Sequence, residues 1–202
     1  MLESLLNLDR SLFFLINQGT RNPVFDLLMP VISEWKYFWL PLFGLLIIFG
    51  LRGSRRTRWA LVALLVVFAM GDSLTTHVLK PFFDRPRPFS SLYDIHIYKG
   101  HWTTTSSYFT HKTLSFPSAH AVNVAGAAAV IIRYFPRWWP LPVVLAVLVF
   151  YSRVYLGLHY PSDVAAGLVL GLICAGVFFG IERVLVKKFP NRFTWLVREE
   201  GA

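Results

Sequence analysis

Apolar residues run along this chain in blocks long enough to cross a bilayer, which takes roughly 20 of them as a helix. Four blocks qualify: about Trp59 to Leu79, Pro117 to Phe135, Leu141 to Leu158, and Val164 to Ile181. A fifth stretch, between Pro23 and Leu51, carries Asp26, Glu34 and Lys36 and is too short for two full spans and a turn. It reads as one long tilted or broken helix. Residues 2–17 place Leu2, Leu5, Leu6, Leu12, Phe13 and Ile16 at rough helical periodicity among polar residues. That pattern predicts an amphipathic N-terminal segment, 1–22, lying in the membrane interface, with a sixth span as the alternative. The predicted fold is all-α: an integral membrane helical bundle of five spans, forming one domain over residues 1–202. No internal repeat or low-complexity tract interrupts it.

Composition changes the picture only by reinforcing it. Charged residues make up 15% of the chain, against about a quarter in ordinary soluble domains. The formal charge of +9 does not point to nucleic acid, because no basic helix face or aromatic platform accompanies it. The surplus sits in links between spans: Arg52, Arg55, Arg56 and Arg58; Arg133 and Arg137; Arg183, Lys187, Lys188 and Arg192. With five spans all three clusters fall on one side, which the positive-inside rule makes cytoplasmic. The expected location is the cytoplasmic (inner) membrane, with residues 80–117 and 159–163 on the periplasmic or extracellular side. Cys174 is the only cysteine, so disulfides and thiolate metal sites drop out. Glu3, Asp9 and Arg10 interrupt what would be the apolar core of a cleavable signal peptide.

Three polar clusters stand at helix ends on the outer side. Lys80-Pro-Phe-Phe-Asp-Arg-Pro-Arg87-Pro88 follows the second span. Its cations read either as side chains snorkelling to headgroups or as a clamp for phosphate, with Arg87 able to bind two oxygens at once. Ser115-Phe-Pro117-Ser118-Ala119-His120 opens the third span. Pro117 suits a first helical turn, so Ser118 and His120 fall where free amides and the helix dipole favour an anion; a plain cap is the bland alternative. Ser152-Arg153-Val-Tyr-Leu-Gly-Leu-His159-Tyr-Pro-Ser-Asp163 closes one span and opens the next. Arg153 lies in an apolar run, where a charge is costly and usually functional. His159 and Asp163, four apart, can pair so that the carboxylate fixes the imidazole tautomer and frees the other nitrogen for attack. An ordinary structural His–Asp pair is the competing reading. Asp72, embedded in the second span, reads as structural ahead of catalytic.

Together the clusters resemble the type 2 phosphatidic acid phosphatase (PAP2) superfamily, whose signature is K-x6-RP, then PS-x-H, then SR-x5-H-x3-D. Lys80 with Arg87-Pro88, Pro117-Ser118 with His120, and Ser152-Arg153 with His159 and Asp163 match in order and spacing. Ala119 stands where the family often has glycine. The motifs span 80–163, the helical pattern extends the likeness to about 59–186, and residues 1–57 match in hydropathy alone.

The resemblance implies that His159 attacks phosphorus to form a phosphohistidine while Asp163 orients it. His120 would protonate the leaving oxygen and help activate water. Lys80, Arg87, Ser118, the Ala119 amide and Arg153 would bind the phosphoryl oxygens. No metal or other cofactor is needed, because side chains supply the cations. His96, His101 and His111 read as solvated loop histidines. The implied function is hydrolysis of a lipid phosphate or diphosphate, with undecaprenyl diphosphate ahead of phosphatidylglycerophosphate, phosphatidate and lipid A 1-phosphate. The partners are thus a lipid substrate and the bilayer. A vanadate-dependent haloperoxidase would share the pocket but be soluble, and a phosphate-binding or transport protein would not need His159 with Asp163.

Overall fold

The computed structural model describes residues 2–34, 39–105 and 113–193. Its helices are α1 (Leu2–Asn17), α2 (Pro23–Ser33), α3 (Trp39–Arg52), α4 (Arg55–Ser73), α5 (Lys80–Phe83), α6 (Pro88–Ser91), α7 (Ala119–Tyr134), α8 (Pro140–Tyr155) and α9 (Pro161–Lys188). The bundle is all-α apart from a small hairpin, β1 (His96–Tyr98) with β2 (Trp102–Thr104). Strands of three residues are too short to announce themselves by alternation. The stretch expected as one tilted or broken helix is two helices, α2 and α3, and Lys36 falls outside the described residues.

Ser54 starts α4 by capping it, its Oγ accepting from the Thr57 amide at 3.2 Å. The helix then passes through a π turn, Leu74–Leu79, into α5. Arg55–Phe83 and Pro161–Lys188 are each long and apolar enough to cross a bilayer, and α7 and α8 are shorter apolar helices. Leu65 and Phe68 of α4, Val144 of α8, and Leu172 and Ile173 of α9 all lie exposed. An apolar surface this extensive is not one that water tolerates on a monomer. It is a lipid-facing surface.

Inside, α7 packs along α9 and α4. A Cβ at Gly167 of α9 would sit 2.7 Å from both the Ser118 carbonyl oxygen and the Ala121 Cβ, and one at Gly171 would sit 2.3 Å from the Val122 carbonyl oxygen. These glycines let two backbones approach closely, the usual device where lipid gives helices no hydrophobic drive to associate. At the basic end, Glu182 of α9 is buried and accepts from Trp59 Nε1 of α4 at 2.5 Å and from the Tyr134 hydroxyl of α7. So α4, α7 and α9 are clamped at one end by hydrogen bonds and zipped along their length by small residues.

The N-terminal helix does not divide its residues into a polar exposed face and an apolar buried one. Leu5, Leu8, Leu12 and Leu15 lie exposed, while Asp9, Phe13 and Asn17, one turn apart, are buried. The side-chain amide of Asn17 donates to the carbonyls of His96 and Tyr155, at 2.7 and 2.8 Å. Asp9 and Asn17 therefore point at protein, while the exposed surface mixes leucines with Glu3, Ser4, Asn7, Arg10 and Ser11.

Candidate active site

Motif residues far apart in sequence meet at the end of the bundle opposite Glu182. Lys80 opens α5, directly after the π turn, a feature frequent at functional sites. Beyond it, residues 85–88 pair with 113–115 in a short antiparallel bridge, Pro86 against Leu114. The Arg87 amide donates to the Thr113 carbonyl at 3.2 Å, and the Ser115 amide to the Arg85 carbonyl at 2.8 Å. Through this bridge the first motif holds the approach to the second. Arg87 is half-buried; burial works against its charge and Asp163 works for it.

Ser118 holds the N-cap position of α7, but its side chain makes no cap hydrogen bond. Its hydroxyl is fully buried and has no partner among the described residues. That removes the plain-cap reading, because a buried hydroxyl without a partner is costly. Its amide donates to the Asp163 carbonyl at 3.0 Å, tying the start of α7 to the first turn of α9. Ala119 and His120 follow in the first helical turn, where amides lack intrahelical acceptors, and His120 is exposed.

Gly157, at φ +74°, ends α8 in a left-handed turn and a Cβ there would lie 2.8 Å from the His96 carbonyl oxygen. This turn swings the chain so that His159 is buried with its Nδ1 3.5 Å from Asp163 Oδ2 and 3.4 Å from Ser115 Oγ. Asp163, fully buried, accepts on Oδ2 from the Tyr160 amide at 2.8 Å and from the Ser115 hydroxyl. On Oδ1 it accepts from Arg85 Nη1 at 2.7 Å. Burial first, then the charges of Arg153, Arg87 and Lys80, push the His159 pKa well below the ordinary imidazole value. At neutral pH the ring is uncharged. His120 lies in the field of the same three cations and of His159, so all three motifs converge on one volume.

Arg153 is buried and donates from Nη1 to Ser33 Oγ of α2 at 2.6 Å, while its Nε has no partner among the described residues. An unpartnered Nε and the unpartnered Ser118 hydroxyl are donors awaiting an acceptor. Asp72, half-buried on α4, lies within electrostatic range of Lys80. His96 corrects one expectation. It is buried rather than solvated, stacked flat on Trp102 at 4.0 Å with Nε2 3.3 Å from Asp26 Oδ1. His101 is exposed, and His111 lies outside the described residues.

Sequence reasoning passed over Arg85, Ser115 and Asp9. Arg85 sits inside the first motif, and Ser115 two residues before Pro117, so position alone hinted at both. Asp9 shares α1 with Glu3 and Arg10, and nothing in the sequence set it apart from them.

A membrane bundle that gathers two histidines, a carboxylate and several cations around unsatisfied donors defines a protein that handles phosphate at a bilayer. The chain belongs to the PAP2 superfamily, whose family model matches residues 59–186. It is 35% identical over 147 residues to an undecaprenyl-diphosphatase of Sulfolobus acidocaldarius, covering 71% of this chain and 64% of that one. The match therefore spans somewhat less than two thirds of that relative's length. It is 30% identical over 176 residues to a lipid A 4'-phosphatase of Porphyromonas gingivalis, covering 85% of this chain and 72% of the relative. Among solved structures it resembles the crystal structure of Aquifex aeolicus LpxE, with a TM-score of 0.61, 26% identity, and coverage of 84% of this chain and 93% of that one.

Proposed function

We propose that this chain hydrolyses a phosphate monoester or diphosphate of a membrane lipid through a phosphohistidine on His159, with undecaprenyl diphosphate as the substrate. As a member of the PAP2 phosphatases it is a hydrolase acting on phosphate esters. The observation that carries the mechanism is a buried His159 whose Nδ1 faces Asp163, beside a buried serine hydroxyl with no partner among the described residues. With Nδ1 protonated toward the carboxylate, the Nε2 lone pair is the nucleophile. The Nε2–P bond forms as the bond from phosphorus to the leaving oxygen breaks, and His120 donates a proton to that oxygen. Water then attacks phosphorus, Nε2 departs, and His120 takes up the proton lost by water. Asp163 stabilises the imidazolium between the two steps. Lys80, Arg87, Arg153, the Ser118 hydroxyl and the Ala119 amide take the phosphoryl oxygens, which is mainly positioning and electrostatic work.

In this reading five spans cross the inner membrane, α1 lies in its interface, and the site opens at the outer surface, a disposition supported by the basic links between spans. Undecaprenyl diphosphate is favoured by the archaeal relative's name. A lipid A phosphate is the second reading, supported by the Porphyromonas relative. The test is phosphate release by purified protein from undecaprenyl diphosphate, lipid A, phosphatidylglycerophosphate and phosphatidate, together with capture of labelled phosphate after an alkaline quench. Fastest turnover of undecaprenyl diphosphate and a base-stable, acid-labile adduct on His159 are expected. Preference for another lipid overturns the substrate, and turnover without an adduct overturns the covalent step.

A further inference from the structure

Asp163 is held on both oxygens, and only one of them faces His159. The other, Oδ1, accepts from Arg85 Nη1 at 2.7 Å. Arg85 Nη2 reaches on to Asp9 Oδ2 at 2.6 Å, and Arg85 Nη1 also donates to Ser162 Oγ at 2.7 Å. The ring closes through Ser162, whose hydroxyl donates to Asp9 Oδ2 at 2.6 Å and whose amide donates to Asp9 Oδ1 at 2.9 Å. Both carboxylates are buried, and the guanidinium lies over the Tyr160 ring, 4.1 Å from its centre. One turn along α1 from Asp9, Phe13 packs on the same ring at 5.6 Å.

The geometry points to Arg85 and Asp9 as positioning residues for His159, acting through Asp163, with α1 as a working wall of the active site rather than an anchor alone. This rests on the reading of His159 as nucleophile and deepens it. A carboxylate bonded on one oxygen can rotate about its Cβ–Cγ bond and carry the other away from the imidazole. Bonded on both, it cannot. Arg85 is the group that fixes Oδ1, and bidentate guanidinium contacts carry geometric specificity that a single point charge lacks. Asp9 in turn fixes Arg85, and it lies outside the segment matched by the family model. Neither residue needs to touch substrate for this, so their loss should slow chemistry without weakening binding.

The experiment is a double-mutant cycle in purified protein, with phosphate release from the lipid turned over by the wild type. Arg85→Gln should lower kcat by about 10- to 100-fold and leave KM within about twofold, the pattern of a misplaced catalytic group. Asp9→Asn should give a smaller loss of the same kind. In an Asp163→Asn background Arg85→Gln should add less than about twofold, because residues acting as one unit are not additive. Arg85→Lys, which keeps the charge and reaches one partner, should recover part of the kcat; it also stands in if the glutamine variant does not fold. A raised KM, or full additivity with Asp163→Asn, overturns the proposal and leaves the phosphatase reading intact. A wild type that releases phosphate from no lipid overturns both.

Discussion

Gly167 offers a way to disturb the site without touching a reacting group. An alanine there would bring its Cβ to 2.7 Å from the Ser118 carbonyl oxygen, 2.7 Å from the Ala121 Cβ and 3.2 Å from the Val122 amide. Ordinary contact begins near 3.4 Å, so two neighbours sit about 0.7 Å too close, and one is backbone that cannot swing aside. The relief is for α7 to move off α9. That movement stretches the 3.0 Å bond from the Ser118 amide to the Asp163 carbonyl and carries Ser118 and His120 away from His159. Overpacking of this kind costs about 1–3 kcal/mol of stability. A displacement approaching 1 Å can cost about a hundredfold in rate, so a loss in kcat of at least about tenfold is expected. Gly176 and Gly180, farther along the same helix, have nothing among the described residues within 4 Å of an added Cβ. Alanine at either should leave kcat and the unfolding temperature in detergent unchanged. The assay compares kcat and thermal unfolding for all three variants. Wild-type kcat in Gly167→Ala would refute the claim that the glycine seam sets the geometry between the second and third motifs.

Ser115→Ala removes a hydroxyl bonded to Asp163 and 3.4 Å from His159 Nδ1. A net loss of about 1–2 kcal/mol, or roughly 5- to 30-fold in kcat, is expected, and an unchanged kcat would remove Ser115 from the site. His159 should titrate well below the ordinary imidazole value of about 6.5, since burial and three cations oppose its protonation. Below that pH the unfolded chain binds a proton that the native ring refuses, so this group's contribution to stability falls as the medium turns acid. Nitrogen NMR of labelled histidine checks it, and titration at or above 6.5 would contradict it. Orthovanadate should inhibit competitively, because a trigonal bipyramidal adduct on His159 resembles the transition state; no inhibition at millimolar vanadate would count against in-line attack by the imidazole.

What the sequence showed and what it hid separate along a physical line. Lys80, Arg87, Ser118, Arg153, His159 and Asp163 stand at ends of long apolar helices, so counting residues along the chain was enough to set them side by side. Arg85 and Ser115 owe their places to a bridge between Pro86 and Leu114, a pairing across 28 residues that no periodicity encodes. Asp9 was hidden by a habit carried over from water. On a soluble helix the apolar stripe faces the protein, whereas α1 exposes leucines beside Glu3, Asn7 and Arg10 and buries Asp9 and Asn17 against the protein. The break between α2 and α3 followed from charges that a single span would not carry. The hairpin at 96–104 gave no sign, and with it went the burial of His96 between Trp102 and Asp26.

Sidedness is the remaining consequence, and the structure sharpens the argument for it. Each of α4, α7 and α9 has one basic end and one motif end: Arg55 against Lys80 just beyond, Arg133 against Ser118, Lys188 against Asp163. Glu182 gathers the basic ends, taking Trp59 at 2.5 Å and lying 3.9 Å from Arg133. The two kinds of end are therefore grouped at opposite ends of the bundle rather than scattered. Moving Arg52, Arg55, Arg56 and Arg58 across the bilayer during insertion is unfavourable, so the expected outcome is the basic end in the cytoplasm and the catalytic end outside. A sixth span at the N-terminus would relocate only the terminus. The check is labelling of single cysteines in intact cells with a membrane-impermeant maleimide, after replacing the buried Cys174. A cysteine at the exposed His101, in the turn of the hairpin, should react at once. One at Ser54, at the start of α4, should react only after permeabilisation. The reverse pattern would put His159 in the cytoplasm, and a substrate presented on the outer leaflet would then be out of its reach.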